Sequence, residues 1–404
     1  MIVSLAASCA NYRTLLFRML PAAAGSLILF LAARPAEAVL PFHFGFFPSG
    51  PLDAITDVAG VRVANLTMIQ GQDIRTGATA VLPDDDPWSE KVAAASLAFN
   101  GNGEMTGTHW IEQSGYLEEP IVLTDTLDVG LADDGVVDWV IEHHPQVGIR
   151  DDVPLPVVAE CDDQLLNDIQ RRVVRPEDVR KLLDAARPGQ FARGSVGAGT
   201  GMRAFGFKAG IGSASRVLPT SLGGYTVGVL VNDNTGSSRT ALTIVGVPVG
   251  ERLKNDYQTV YPRHLSEADM RGRMASGSII IVVATDAPLD SRELRAILLR
   301  AGLGMGRTGL TSDVGSGDLF VGFSTTEVFQ RTGNFEISAP AKRIIVDDDV
   351  LNALYRATAE ATQAAIYDAL FEAKTMSGRG GATVYGLPDD RVLQMLRGAG
   401  AIRP

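Results

Sequence analysis

Gly277 and Ser278 stand directly against an uninterrupted apolar run, Ile279 to Ala284, in the stretch RMASGSIIIVVATDAPLD at 273–290. A serine hydroxyl attacks a carbonyl at neutral pH only with a base beside it. The five histidines offer no obvious one. His143 and His144 precede Pro145 at an expected helix end, while His43, His109 and His264 stand apart. No G-x-S-x-G segment supplies a nucleophile elbow. One other base is available: the serine's own α-amino group, freed if the Gly277–Ser278 bond is cut. An α-amine has a pKa near ~7.7–8.0. A useful fraction is then neutral at working pH, close to the optimum for a general base. Gly277 puts no side chain over the bond, a polar segment precedes it, and a stiff strand would hold the new N-terminus. The same residues also read as a turn entering a strand, and taken alone they leave both readings open.

Other motifs carry less. Gly304-Met-Gly-Arg-Thr-Gly309 matches G-x-G-x-x-G but closes an expected helix instead of following a strand, so the dinucleotide context is missing. GAGTG at 197–201 lacks the Lys-Ser/Thr of a phosphate loop. His143-His144 has no third ligand at metal spacing.

The elements around Ser278 follow from hydrophobic periodicity. Strands are expected at 61–68, 91–99, 119–126, 155–160, 224–233, 242–250, 279–284 and 318–325. Helices are expected at 133–144, 175–186, 290–309, 349–373 and 389–398, with a short one after the Gly/Asn loop that opens 100–115. Residues 39–58 read as loop, 194–218 as a Gly-rich hairpin region, and 251–276 as the best linker. Strands with helices between them make a layered α/β fold.

The 404 residues are 46% apolar and 21% charged with a net charge of −11. That supports a sizeable core. With no Lys/Arg cluster, it argues against a nucleic-acid or anionic-membrane partner. The first 38 residues read as a secretory signal. Arg13 and Arg18 precede the apolar stretch Met19 to Ala33, and Ala36 and Ala38 form an A-x-A cleavage pattern. Losing that segment removes three Arg and one Glu and takes the charge from −11 to −13. Cys9 leaves with it. Cys161 alone remains and cannot form an internal disulfide.

Ten motifs occur together and in order: DAITDVAGVRV (53–63), NGNGEMTG (100–107), PIVLTDTLDVG (120–130), VVAE (157–160), LND (166–168), GSVGAGTGMRAFGFKAGIGSASR (194–216), GVPVG (246–250), GSIIIVVATDAPL (277–289), RTG (307–309) and GSGDLFVGFST (315–325). Over roughly 50–400 the chain resembles the self-processing serine aminopeptidases, the family of L-aminopeptidase/D-esterases and β-peptidyl aminopeptidases. The resemblance implies an α/β fold, a four-layer αββα sandwich of the N-terminal-nucleophile-hydrolase type. It implies one catalytic domain cut between Gly277 and Ser278 into 39–277 and 278–404, the pieces staying together. By the same resemblance Ser278 is the nucleophile and Asn234, in VNDNTG, supplies an oxyanion-hole amide. Ser316 and Asp318, in GSGD, hydrogen-bond the nucleophile's amine and hydroxyl. Glu160 binds the substrate's free ammonium. After Glu160 many relatives have Thr, an aromatic residue and Asp-Gly. Here Cys161-Asp162-Asp163-Gln164 follows, which removes an aromatic wall and adds an acid.

The expected activity is that of an exported, self-cleaving serine aminopeptidase or amidase acting on small peptides, aminoacyl amides or esters. No metal or organic cofactor is expected. The mature protein is expected in the periplasm, off the membrane, as a homo-oligomer of cleaved chain pairs. Two alternatives stand beside it: an exported binding protein that has lost hydrolysis, suggested by 161–164, and an acyltransferase. The serine at 278 disfavours the second, because such relatives use threonine.

Overall fold

A computed structural model describes residues 40–235, 238–262, 277–332, 336–338 and 347–402. The expected signal segment, 1–38, and most of the expected linker, 263–276, lie outside the described residues.

Two sheets carry the chain. The first is four-stranded, in the order β1 (Arg62–Gln70), β2 (Ile74–Leu82), β5 (Ile121–Asp125) and β6 (Val157–Cys161). The second runs β4 (Tyr116–Leu117), β3 (Glu90–Gly101), β12 (Gly317–Thr332), β11 (Ser278–Thr285), β10 (Thr226–Asn234) and β9 (Ile211–Val217). The short strands β7 (Arg203–Ala204) and β8 (Phe207–Lys208) form a hairpin before β9. Helix α1 (Thr108–Ser114) lies against β3 and β4. Helices α2 (Val129–His143) and α3 (Pro176–Asp184) cover the first sheet. A short α4 spans Val249–Arg252. Helices α5 (Ser291–Gly306) and α6 (Asp348–Phe371) cover the second sheet, and α7 (Asp389–Gly398) follows.

Three buried clusters separate the four layers. One fills the space between α2/α3 and the first sheet, with Leu66, Ala80, Val122 and Val158 against Val136, Trp139 and Leu182. One lies between the sheets, with Val63, Val81, Leu123 and Ala159 against Ile280, Val282 and Val321. The third lies under α5 and α6, with Ile279, Ile281 and Val283 against Leu294, Ile297 and Ala364. The molecule is the αββα sandwich that the resemblance implies. It also explains the apolar run after Ser278. Even-numbered residues of β11 face the other sheet and odd-numbered ones face the helices, so the strand has no solvent face. Replacing the fully buried Ile281 by Ala is expected to cost about 2–5 kcal/mol, measured by denaturant unfolding.

Local signals place the helices. The Asp290 carboxylate accepts from the Glu293 N–H at 2.8 Å and the Glu293 carboxylate accepts from the Asp290 N–H at 3.3 Å, a capping box that starts α5. Gly304 serves helix packing and no nucleotide: a Cβ there would sit 2.4 Å from the Ala359 carbonyl oxygen of α6.

Several expectations change. No strand forms at 242–250. Leu242, Ile244, Val247 and Val249 are buried, but the chain makes a two-residue turn with positive φ at Val245 (47°) and Gly246 (77°) and then enters α4. The Ile244–Val247 bridge is its only ladder. Strand β2 was not expected, since IRTGATAVL is rich in small residues. Gly77 is needed there: a Cβ would lie 2.0 Å from the Leu66 carbonyl oxygen and 2.6 Å from that of Gly197. Strand β12 runs well past 325, to Thr332. The described part of the expected linker, 251–262, is anchored. The Arg239 guanidinium donates to the Tyr257 carbonyl at 2.8 Å, and Val260 bridges Thr383.

Candidate active site

Three adjacent strand ends meet at Ser278. In the β10–β11–β12 register Asn234, Ser278 and Gly317 stand side by side. Asn232, the other asparagine of the motif, lies opposite Ile280, two residues deeper. Ser278 begins β11 and is partly buried. Its Oγ accepts a hydrogen bond from the Gly317 N–H at 3.3 Å, and the same N–H lies 3.3 Å from the Gly277 carbonyl oxygen. The bond between Gly277 and Ser278 is therefore tied to the start of β12 from both sides.

Asn234 is oriented by two backbone groups. Its Oδ1 accepts from the Arg203 N–H at 3.1 Å and its Nδ2 donates to the Asp162 carbonyl at 2.9 Å. An amide nitrogen carries two donors, so one N–H remains beyond that contact.

Asp318 starts the second half of the site. Its Oδ1 accepts from the Ser316 hydroxyl at 2.5 Å and its Oδ2 from the Ser312 hydroxyl. Burial pushes this carboxyl above the usual range, against the pull of the two hydroxyls. Ser316, Asp318, Thr235 and Gly277 line one cavity of about 60 Å³ with the 309–313 loop.

Glu160 reaches the same end of the molecule through the Gly/Asn loop after β3. It is nearly buried, at 4% exposure. Its Oε1 accepts from the Glu104 N–H at 3.0 Å and its Oε2 from the Thr126 hydroxyl. A Cβ on Gly103 would lie 3.1 Å from Glu160 Oε1 and 3.3 Å from Gly317 Cα, so only a glycine's width separates Glu160 from the Ser278 row. Burial raises the Glu160 carboxyl, and the nearby Asp162 and Glu104 charges add to it. The strand carrying it runs one residue further than expected, to Cys161.

Cys161 points into the layer between the sheets, fully buried. Burial pushes its thiol well above the ordinary value, with Glu160, Asp233 and Asp318 adding to the shift. It is an inert thiol in the precise sense that little thiolate forms.

All six residues singled out in the sequence, Glu160, Asn234, Gly277, Ser278, Ser316 and Asp318, thus gather at one end of the two sheets. Sequence reasoning missed Thr126 and Ser312. Thr126 ends the PIVLTDT strand motif and meets Glu160 on the neighbouring strand, 34 positions away, while Ser312 precedes GSGD and folds back on Asp318 six positions later. His143 and His144 close α2 on the far helical layer, beside Asp184 at 3.5 Å and Asp86 at 2.9 Å.

The sequence model of peptidase family S58 matches residues 53–384. The chain is 38% identical over 356 residues to the beta-peptidyl aminopeptidase BapA of Sphingosinicella xenopeptidilytica, covering 86% of this chain and 88% of that one. A beta-aminopeptidase from Burkholderia sp. superposes with a TM-score of 0.80 at 38% identity, covering 90% of this chain and 98% of that one. The L-aminopeptidase D-Ala-esterase/amidase of Ochrobactrum anthropi, a prototype of the serine aminopeptidases and a variant of the Ntn hydrolase fold, superposes with a TM-score of 0.78. It is 36% identical and covers 90% of this chain and 98% of that one.

Proposed function

The chain belongs to peptidase family S58, and from its serine-type aminopeptidase activity we propose an exported enzyme that cuts itself before Ser278 and releases N-terminal residues through an acyl-enzyme. The observation that carries this reading is the row Asn234–Ser278–Gly317, with Glu160 a glycine's width away.

Self-cutting begins when Ser278 Oγ attacks the Gly277 carbonyl carbon. The Oγ proton passes to the Ser278 nitrogen as the C–N bond breaks, the nitrogen becomes an amine, and an ester links the Gly277 carbonyl to Oγ. Water hydrolyses the ester to a Gly277 carboxylate and a free Ser278 amine. In turnover that amine takes the proton of Oγ as Oγ attacks the substrate carbonyl. The remaining Asn234 N–H meets the oxyanion. The amine returns the proton to the leaving amine, and water then releases the acid. Ser316 and Asp318 hold the Ser278 amine. Glu160 pairs with the substrate's ammonium, and such charge-assisted bonds are the strong ones. The substrates are small peptides, aminoacyl amides and esters with a free amine, in a homo-oligomer of cut chain pairs. Residues 1–38 support export to the periplasm.

A panel of L-, D- and β-aminoacyl p-nitroanilides tests the activity of the mature protein. At least one is expected to be turned over, and β-aminoacyl compounds belong in the panel because beta-peptidyl aminopeptidases are among the relatives. A panel with no turnover at all would overturn the proposed reaction.

A further inference from the structure

Asp233 has no place in the chemistry above, yet it is a buried acid one strand away from Ser278. It is fully buried, and its Oδ2 has no hydrogen-bond partner among the described residues. In register it lies opposite Ile279 from the β10 side, while Asp318 lies opposite Ile279 from the β12 side. The two acids thus flank Ile279, the second residue of β11, on the strand's helix-facing surface. The Asp233 side chain leans toward the strand end. Its Oδ1 accepts from the Thr235 N–H at 3.1 Å and from the Thr235 hydroxyl at 2.5 Å. Thr235 lines the same cavity as Gly277, Ser316 and Asp318.

Among the described residues no Lys or Arg charge acts on Asp233 or Asp318. The titratable groups around the pair are Asp313, lining the cavity from the loop before β12, and Cys161, from the opposite sheet. A buried carboxyl with a free oxygen and no cation is costly. In the uncut chain burial pushes Asp233 up to about 7, with Asp318 adding to the shift. Cutting before Ser278 creates the missing cation.

We propose that Asp233 is the second counter-charge of the Ser278 α-ammonium, forming with Asp318 a two-carboxylate seat across β11 that tunes the amine as a base. The proposal rests on the self-cutting reading given above. Asp233 acts on the amine by charge and position and touches no substrate. The cut places a positive charge beside it, the Asp233 proton is released, and the carboxylate then favours the ammonium over the neutral amine. Without Asp233 the amine loses its proton more readily.

The test compares the pH profile of kcat for wild type and Asp233→Asn, which keeps the shape and the Thr235 contact. The acidic limb is expected to move to lower pH by about one unit, with a weaker base and a lower plateau above it. An unmoved limb in a folded, cut variant overturns the proposal. Should Asp233→Asn not fold or not cut, infrared spectra decide between the wild type and Ser278→Ala. A carboxylic acid without a hydrogen bond on its free oxygen absorbs apart from Asp318, which is held by two hydroxyls. Asp84, Glu119 and Asp163 also carry an unpartnered oxygen and cancel in the difference spectrum, so the band is expected to be stronger in uncut Ser278→Ala near neutral pH than in the cut wild type. An equal band in the cut wild type and the uncut variant overturns the proposal. A wild type that stays uncut on a denaturing gel overturns self-cutting itself, and this inference with it.

Discussion

Replacing Ser278 by Ala is expected to leave one uncut chain and to remove about 10⁶-fold of the turnover rate, the scale of loss when other serine hydrolases lose their nucleophile. One substitution removes two functions because one oxygen performs both. It attacks Gly277 once and the substrate in every later cycle. The variant should fold, since Ser278 is only partly buried and its described hydrogen bond is a single 3.3 Å contact from the Gly317 N–H. A denaturing gel and N-terminal sequencing of the smaller band check the first function. The wild type should give two bands, the smaller beginning Ser-Ile-Ile-Ile, and the variant one. Aminoacyl nitroanilide turnover checks the second. Two bands from the variant would place the cutting agent elsewhere. A single uncut wild-type chain that still turns over substrate would dismiss the α-amine as base.

The site was legible where chemistry and local pattern coincide. Ser278 is conspicuous because a hydroxyl abuts six apolar residues, and the sandwich accounts for those six by burying both faces of β11. Asn234 stands two residues along the strand from Asn232, and only the antiparallel register, which sets Asn234 against Ser278, separates them physically. What the sequence left hidden depends on contacts across the chain. The Thr126 hydroxyl meets a Glu160 carboxylate 34 positions away. Strand β2 is marked by small residues that fit beneath the Gly197 turn, a packing demand with no periodic signature. The stretch 242–250 has the apolar spacing of a strand and lacks a neighbouring sheet edge. It closes instead on itself at Val245 and Gly246. Asp233 reads as one more acid in a turn-like motif until the register sets it beside Ile279.

Glu160→Gln is expected to lower kcat/KM for free-amine substrates by roughly 10²-fold, about 2.7 kcal/mol, the scale of one lost charge-assisted contact. The glutamine keeps an oxygen for the Glu104 N–H and so keeps much of the local geometry. What it loses is the charge that offsets the meeting of two amines, one from substrate and one from Ser278. The wild type should therefore discriminate strongly against N-acetylated nitroanilides, and the variant should lose most of that preference while remaining cut. The pH dependence has a definite sign. Burial raises the Glu160 carboxyl above its ordinary value, so it takes up a proton earlier as pH falls. KM for the wild type should then rise on acidification from a higher pH than a surface carboxylate would give, and this rise should be absent from Glu160→Gln. Equal cleavage of acetylated and free substrates by the wild type would remove Glu160 from ammonium recognition. The 4% exposed carboxylate would then serve the Gly/Asn loop alone, holding Glu104 and Thr126 in place beside Ser278.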